Sequence, residues 1–181
     1  MDLIVIDDSK QNKPSRPGMG PLVAVGGLHV PSDSVRELEL LLADFCHEYG
    51  FPSHVDEFKW SPDRKSWLRK NLQGDDRREF FETCLEGAKE AGAEGCVVIQ
   101  DTSKRSTSGR RDDHELELVK VFLERTDHHL ASTGTEAILL ADHPTGGHAA
   151  EARFVSNCLD TLREGTRFMN LERRSGLDRR L

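Results

Sequence analysis

Three apolar runs in this 181-residue chain close on a carboxylate. Leu3 to Ile6 is followed by Asp7 and Asp8, Cys96 to Ile99 by Gln100 and Asp101, and Ala137 to Ala141 by Asp142, while Glu57 stands in a fourth extended stretch, Val55 to Trp60. Strand ends along one edge of a sheet can bring their side chains together, and converging carboxylates repel unless a cation neutralises them. Hard divalent ions such as Mg²⁺ take oxygen ligands of this kind. Asp also occurs at strand ends for a local reason, because its side chain accepts from the backbone amides that follow. Each acid therefore has two readings, metal ligand or turn former.

Other residues offer different chemistry. Lys104, Arg105, Arg110 and Arg111 form a local basic cluster suited to gripping the phosphates of a nucleic acid, or else a solvated loop beside Asp112 and Asp113. Trp60 to Lys70 mixes two Trp with basic residues, as stacking surfaces for single strands do, although Trp67 and Leu68 at helical spacing suit a core. Asp127-His128-His129 and His143 with His148 match no zinc-binding spacing, and the first pair of imidazoles reads as surface residues at a helix end. There is no phosphate-binding glycine loop and no nucleophile elbow.

The elements that must position these residues follow from periodicity. Leu3 to Ile6 and Leu22 to Val30 read as adjacent antiparallel strands, the first of them central in its sheet, joined by a Pro- and Gly-rich loop. Val35, Leu38, Leu41, Leu42 and Phe45 recur at helical spacing behind Ser34 and Glu37, a capping-box pair. Ser61-Pro62 predicts a helix start running to about Leu72, and a helix from about Asp76 to Ala91 should bury Phe80, Phe81, Cys84, Leu85 and Ala88. After the strand at Cys96 to Ile99, a helix from near Asp112 carries Leu116, Val119, Phe122 and Leu123 on one side; the strand Ala137 to Ala141 and a helix from about His148 to Leu162 complete the order.

Composition bounds the class. With 36% hydrophobic and 31% charged residues and a net charge of −7, the chain reads as a soluble domain able to bury its own core without disulfide or structural metal. Its four cysteines lie far apart with no CxxC pair, which predicts reduced thiols. No apolar stretch has the length of a membrane span and the N-terminus lacks signal-peptide features, so a cytoplasmic location and no membrane partner are the expectation. The acidic balance confines nucleic-acid binding to a local basic face.

Over nearly its whole length the sequence resembles the domain of unknown function family numbered 3800, regarded as ribonuclease H-like. The resemblance is carried by Ile6-Asp7-Asp8-Ser9, by the strand around Val23-Ala24-Val25, by Glu57-Phe58-Lys59 and by Leu139-Leu140-Ala141-Asp142; Asp8 stands where the family usually has Glu. It implies an α/β fold with a ribonuclease H-like mixed sheet flanked by helices, one domain over residues 1–181 with 172–181 a tail. It further implies that Asp7, Glu57 and Asp142 hold one or two Mg²⁺ or Mn²⁺ ions, with Asp8 a ligand or supporting partner. Phosphodiester hydrolysis uses such ions to stabilise the attacking and leaving oxygens. The spacing of Glu57 and Lys59 is also that of restriction-type nucleases, in which the lysine polarises water or steadies the phosphorane charge. A metal-dependent nuclease or phosphoesterase is thus the expectation; the alternative is a catalytically silent module that binds nucleic acid or a protein partner.

Overall fold

The computed structural model describes residues 1–13, 16–54, 64–103, 111–141 and 148–166, with the backbone alone for 111–113. Among them run β1 (Asp2–Gln11), β2 (Leu22–Val30), α1 (Val35–Glu48), α2 (Trp67–Asn71), α3 (Gly74–Glu90), β3 (Glu94–Asp101), α4 (Arg111–Thr133), β4 (Ala137–Ala141) and α5 (His148–Glu164). The chain divides into two compact units, Met1–His29 with Gly95–Leu181, and Val30–Glu94.

The first unit is built on a four-stranded mixed sheet of order β3-β2-β1-β4. β1 is an interior strand next to β2, as its β-branched run predicts. β4 runs parallel to β1, with Ile4 opposite Leu139 and Ile6 opposite Ala141. α4 is the crossover that a parallel return requires. The approach of Gly27 to the Val5 carbonyl, together with the His29–Asp2 contact, gives the antiparallel sense of β1 and β2. Thr102 donating to the Pro21 carbonyl, with Gly26 beside Val97, gives the same sense for β2 and β3.

Alternation along the strands decides what is buried. Ile4 and Ile6 of β1, and Val23 and Val25 of β2, meet Leu118, Val119, Phe122 and Leu123 of α4 and Phe154 of α5 in one apolar core. Gly27 is required there, because a Cβ at that position would lie 2.6 Å from Phe122 Cζ and 2.8 Å from the Val5 carbonyl oxygen. The opposite positions, Val5, Val97, Ile99, Ile138 and Leu140, are exposed.

The second unit is helical and aromatic. Phe45 of α1, Tyr49 and Phe51 just beyond it, Trp67 and Leu68 of α2, and Phe80 and Phe81 of α3 pack into its core, with Leu68 and Phe80 fully buried. Phe80 lies 4.8 Å from Phe45 and 5.1 Å from Tyr49, ring centre to ring centre, within the range of favourable aromatic pairing.

Three local expectations are corrected. Ser34 makes no side-chain cap to α1: its backbone is itself helical, and its N–H donates to the Pro31 carbonyl at 3.0 Å in the preceding turn. α2 is capped at Ser66, whose hydroxyl accepts from Arg69 N at 3.2 Å, so the helix begins at Trp67 and not behind Ser61, which lies outside the described residues along with the extended stretch Val55 to Trp60. Leu85 is exposed, since the buried stripe of α3 runs through Phe80, Phe81, Cys84 and Gly87 and leaves the next position facing outward.

Candidate functional site

β1 continues to Gln11, beyond the strand end expected at Ile6, so Asp7 and Asp8 lie within it and strand alternation separates them. Asp8 shares a face with Ile4 and Ile6, and its side chain is only 7% exposed; Asp7 points to the other face and is exposed. Lys10, two residues beyond Asp8, lies on the same inner face. On α4, Glu115 falls on the stripe that continues through Leu118, Val119 and Phe122, so the helix that closes the core also carries this carboxylate to the sheet.

These side chains meet. Lys10 Nζ donates to Glu115 Oε2 at 2.9 Å and lies 3.4 Å from Asp8 Oδ2. The two carboxylate oxygens are therefore held within about 6 Å of each other, a separation one or two shared cations can span. Burial pulls the Lys10 ammonium toward its neutral form, but the hydrogen bonds and charges of Glu115 and Asp8 outweigh it and hold its pKa above the usual 10.5. On β3, Gln100 follows Cys96 and Val98 on the inner face, and its Oε1 is buried with no hydrogen-bond partner among the described residues. The antiparallel pairings put Gln100 at the same end of the sheet as Asp8, two strands away. β4 ends there too, at Ala141 opposite Ile6.

The donor chemistry fits a hard divalent cation: two buried carboxylates and an amide oxygen lacking a partner. Among the described residues no three acidic, His or Cys side chains converge closely enough to hold an ion alone. Asp8 and Glu115 are a pair of carboxylates bridged by one ammonium. Of the other predicted site residues, Glu57, Lys59, Asp142, Lys104, Arg105 and Arg110 lie outside the described residues, and Arg111 opens α4 with only its backbone described.

Asp101 behaves as a turn former. Its carboxylate accepts from Ser103 N at 2.9 Å, Ser103 Oγ at 2.7 Å and Gly20 N at 3.2 Å, tying the end of β3 to the loop before β2.

At the opposite end of β1 a second polar group was not anticipated. Asp2 Oδ2 contacts His29 Nε2 at 2.9 Å, and His29 Nδ1 contacts His129 Nε2 at 3.2 Å, so His129 turns inward from α4 toward the sheet and is not a plain surface residue. With the Asp2 amide donating to the Glu136 carbonyl at 2.7 Å, these contacts join the starts of β1 and β4, the end of β2 and the C-terminal part of α4.

All four cysteines are free thiols, as expected. Among the described residues no helix is long and apolar enough to cross a membrane. Compared with known families, curated proteins and solved structures, the chain matches no family model and shows no significant likeness to a curated protein or a solved structure.

Proposed function

We propose that the chain is a ribonuclease H-like, divalent-cation-dependent phosphodiester hydrolase acting on nucleic acid, with Asp8 and Glu115 contributing to the cation site and Asp142, next in sequence after Ala141, completing it. The observation that carries this reading is the pair of buried carboxylates meeting over one ammonium on the inner face of β1, beyond the point where β4 ends opposite Ile6. A mixed sheet flanked by helices is consistent with the architecture. Stability alone does not favour burying two carboxylates, since well-packed apolar residues commonly do as well or better.

A bound Mg²⁺ or Mn²⁺ supplies Lewis acidity and a water acidic enough to yield hydroxide near neutral pH. The chain supplies placement. Ile4 and Ile6 lock β1 against α4, and Asp8 and Glu115 present oxygens from those two rigid elements. Gln100 Oε1 offers an acceptor for a water at the same end of the face.

One observation favours the catalytically silent alternative: the Lys10 ammonium already offsets charge in the carboxylate pair. Cleavage assays with labelled single-stranded and duplex DNA and RNA, with and without Mn²⁺, separate the two readings. The hydrolase reading expects Mn²⁺-dependent cleavage that falls by about 10²-fold or more in Asp8→Asn and much less in Asp7→Asn. Absence of cleavage of every substrate by the unaltered chain would leave the silent module.

A further inference from the structure

Asp2, His29 and His129 form a line of three titratable side chains drawn from β1, β2 and α4. Asp2 Oδ2 lies 2.9 Å from His29 Nε2, and His29 Nδ1 lies 3.2 Å from His129 Nε2, with the two rings edge to face at 4.7 Å between centres. The side chains of His29 and Asp2 are only 12% and 8% exposed, so water does not readily replace either contact. Both ring nitrogens of His29 are thus committed. With Asp2 ionised, His29 Nε2 carries a hydrogen toward it, and a single hydrogen fits between His29 Nδ1 and His129 Nε2. That count admits two states of the pair. In the neutral one His129 donates to His29; in the singly charged one the shared hydrogen lies between an imidazolium and a neutral ring, and the Asp2 carboxylate offsets the charge. A second added proton sets N–H against N–H and cation against cation, which a 3.2 Å contact does not allow.

We infer that His29 and His129 are a proton-operated latch, closed while the pair carries no more than one positive charge and opened when both rings are protonated. Opening frees His129 from the sheet and leaves the Asp2–His29 ion pair in place. It releases the corner between α4 and β4, where Ser132 and Thr133 hydroxyls donate to the His129 carbonyl, Thr135 N to the Leu130 carbonyl and Asp2 N to the Glu136 carbonyl. Other charges surround this end of the sheet. The Met1 ammonium precedes Asp2, Glu94 begins β3, the strand paired with β2, and Glu136 precedes β4. On α4, Arg125 lies one turn before His129 and adds like charge, whereas Asp127 and His128 point to other sides of the helix. Arg163 and Glu164 close α5, both exposed. Asp2 is the charge in direct contact with the pair.

The test uses the intact chain from about pH 8 down to about pH 5, the range in which imidazoles change charge. Long-range ¹H–¹⁵N spectra of the ring nitrogens count the protons on His29 and His129, and amide exchange, corrected for its intrinsic pH dependence, reads the corner at 130–136. Exchange there is expected to rise about tenfold as the second ring is protonated, while the amides of Ile4 and Ile6 in the same sheet stay constant. His129→Gln keeps a group able to accept from or donate to His29 Nδ1, so its corner should stay protected throughout. His129→Leu makes no such contact, and its corner should exchange fast at both ends of the range. Corner exchange that stays constant after both rings are protonated overturns the inference, as does a pair that remains singly charged down to about pH 5. A rise of equal size in His129→Gln also overturns it and assigns the response to the surrounding charges. Should either variant fail to fold, ring protonation and corner exchange in the unaltered chain decide alone.

Discussion

The two units bury different kinds of side chain. The residues Asp2, His114, Glu115 and Thr161, buried among those described, and the buried side chain of Asp8 all belong to the sheet unit. The helical unit fills its core with Phe45, Phe51, Leu68, Leu72, Phe80, Phe81 and Cys84. Apolar and aromatic burial is a sufficient cause of stability, whereas a buried charge costs solvation energy that its partners only partly return. The sheet unit therefore depends on partners that offset its buried charge, as Lys10 does for Glu115 and His29 for Asp2, and the helical unit is explained by packing.

The largest test of that contrast is a ring deletion in each core. Phe80→Ala removes a fully buried ring that contacts Phe45, Tyr49 and Phe81, and Phe122→Ala removes one that fills the space left by Gly27. Each should cost about 3–5 kcal/mol in denaturant unfolding. Hydrogen exchange then localises the damage: Phe80→Ala should lower amide protection across Val30–Glu94, and Phe122→Ala across the sheet and α4. Identical exchange patterns in both variants would show that the two cores melt as one.

A glycine pair gives a smaller effect of opposite character. Gly27→Ala drives its Cβ against a backbone carbonyl and a buried ring, neither of which can move freely, and should destabilise by about 1–3 kcal/mol. At Gly87, within α3, the new Cβ would meet the methyl ends of Leu41, which can rotate away. The helix gains up to about 1 kcal/mol from replacing glycine, so Gly87→Ala should be close to neutral. Equal losses at both positions would mean that the helical core is packed as rigidly as the sheet.

The same contrast shows what the sequence makes legible. β1, β2 and β4 each contain a continuous apolar run, and α1 and α3 repeat apolar residues at helical spacing, so their existence follows from local pattern, although β1 runs on through Asp7 and Asp8 to Gln11, past the strand end its apolar run suggests. Caps are less legible: Ser34 has the right spacing to Glu37 but the wrong backbone conformation, and Ser66 does the capping expected of Ser61. The carboxylate pair was half visible. Ile4, Ile6, Asp8 and Lys10 alternate onto one strand face, and Glu115, Leu118, Val119 and Phe122 share one helix stripe, but nothing local says that this stripe packs on that strand. The pairing comes from the strand order and from the helix that returns β4 beside β1, which are long-range facts. The same applies to His29 and His129, a hundred residues apart in sequence.

The smallest expected effect compares one thiol from each core. Burial pushes the Cys84 thiol up to about 12, with Cys46 adding to the shift, and burial alone pushes Cys158 up to about 11. Below the ordinary thiol value of 9.0 both groups are neutral whether the chain is folded or not, and they contribute no pH dependence. Above it the unfolded chain ionises first, so the stability held by each neutral thiol is lost as pH rises, over a window reaching about 11 for Cys158 and about 12 for Cys84. Cys84→Ala and Cys158→Ala lack this ionisation. Each should be less stable than the unaltered chain near pH 8 because of the lost packing, and each deficit should narrow as the pH climbs past 9.0, with that of Cys84→Ala still narrowing where that of Cys158→Ala has levelled off. Thermal melts of the three proteins across this range measure the gap directly, and a gap that stays constant with pH would show that these thiols are not withheld from water by the cores that surround them.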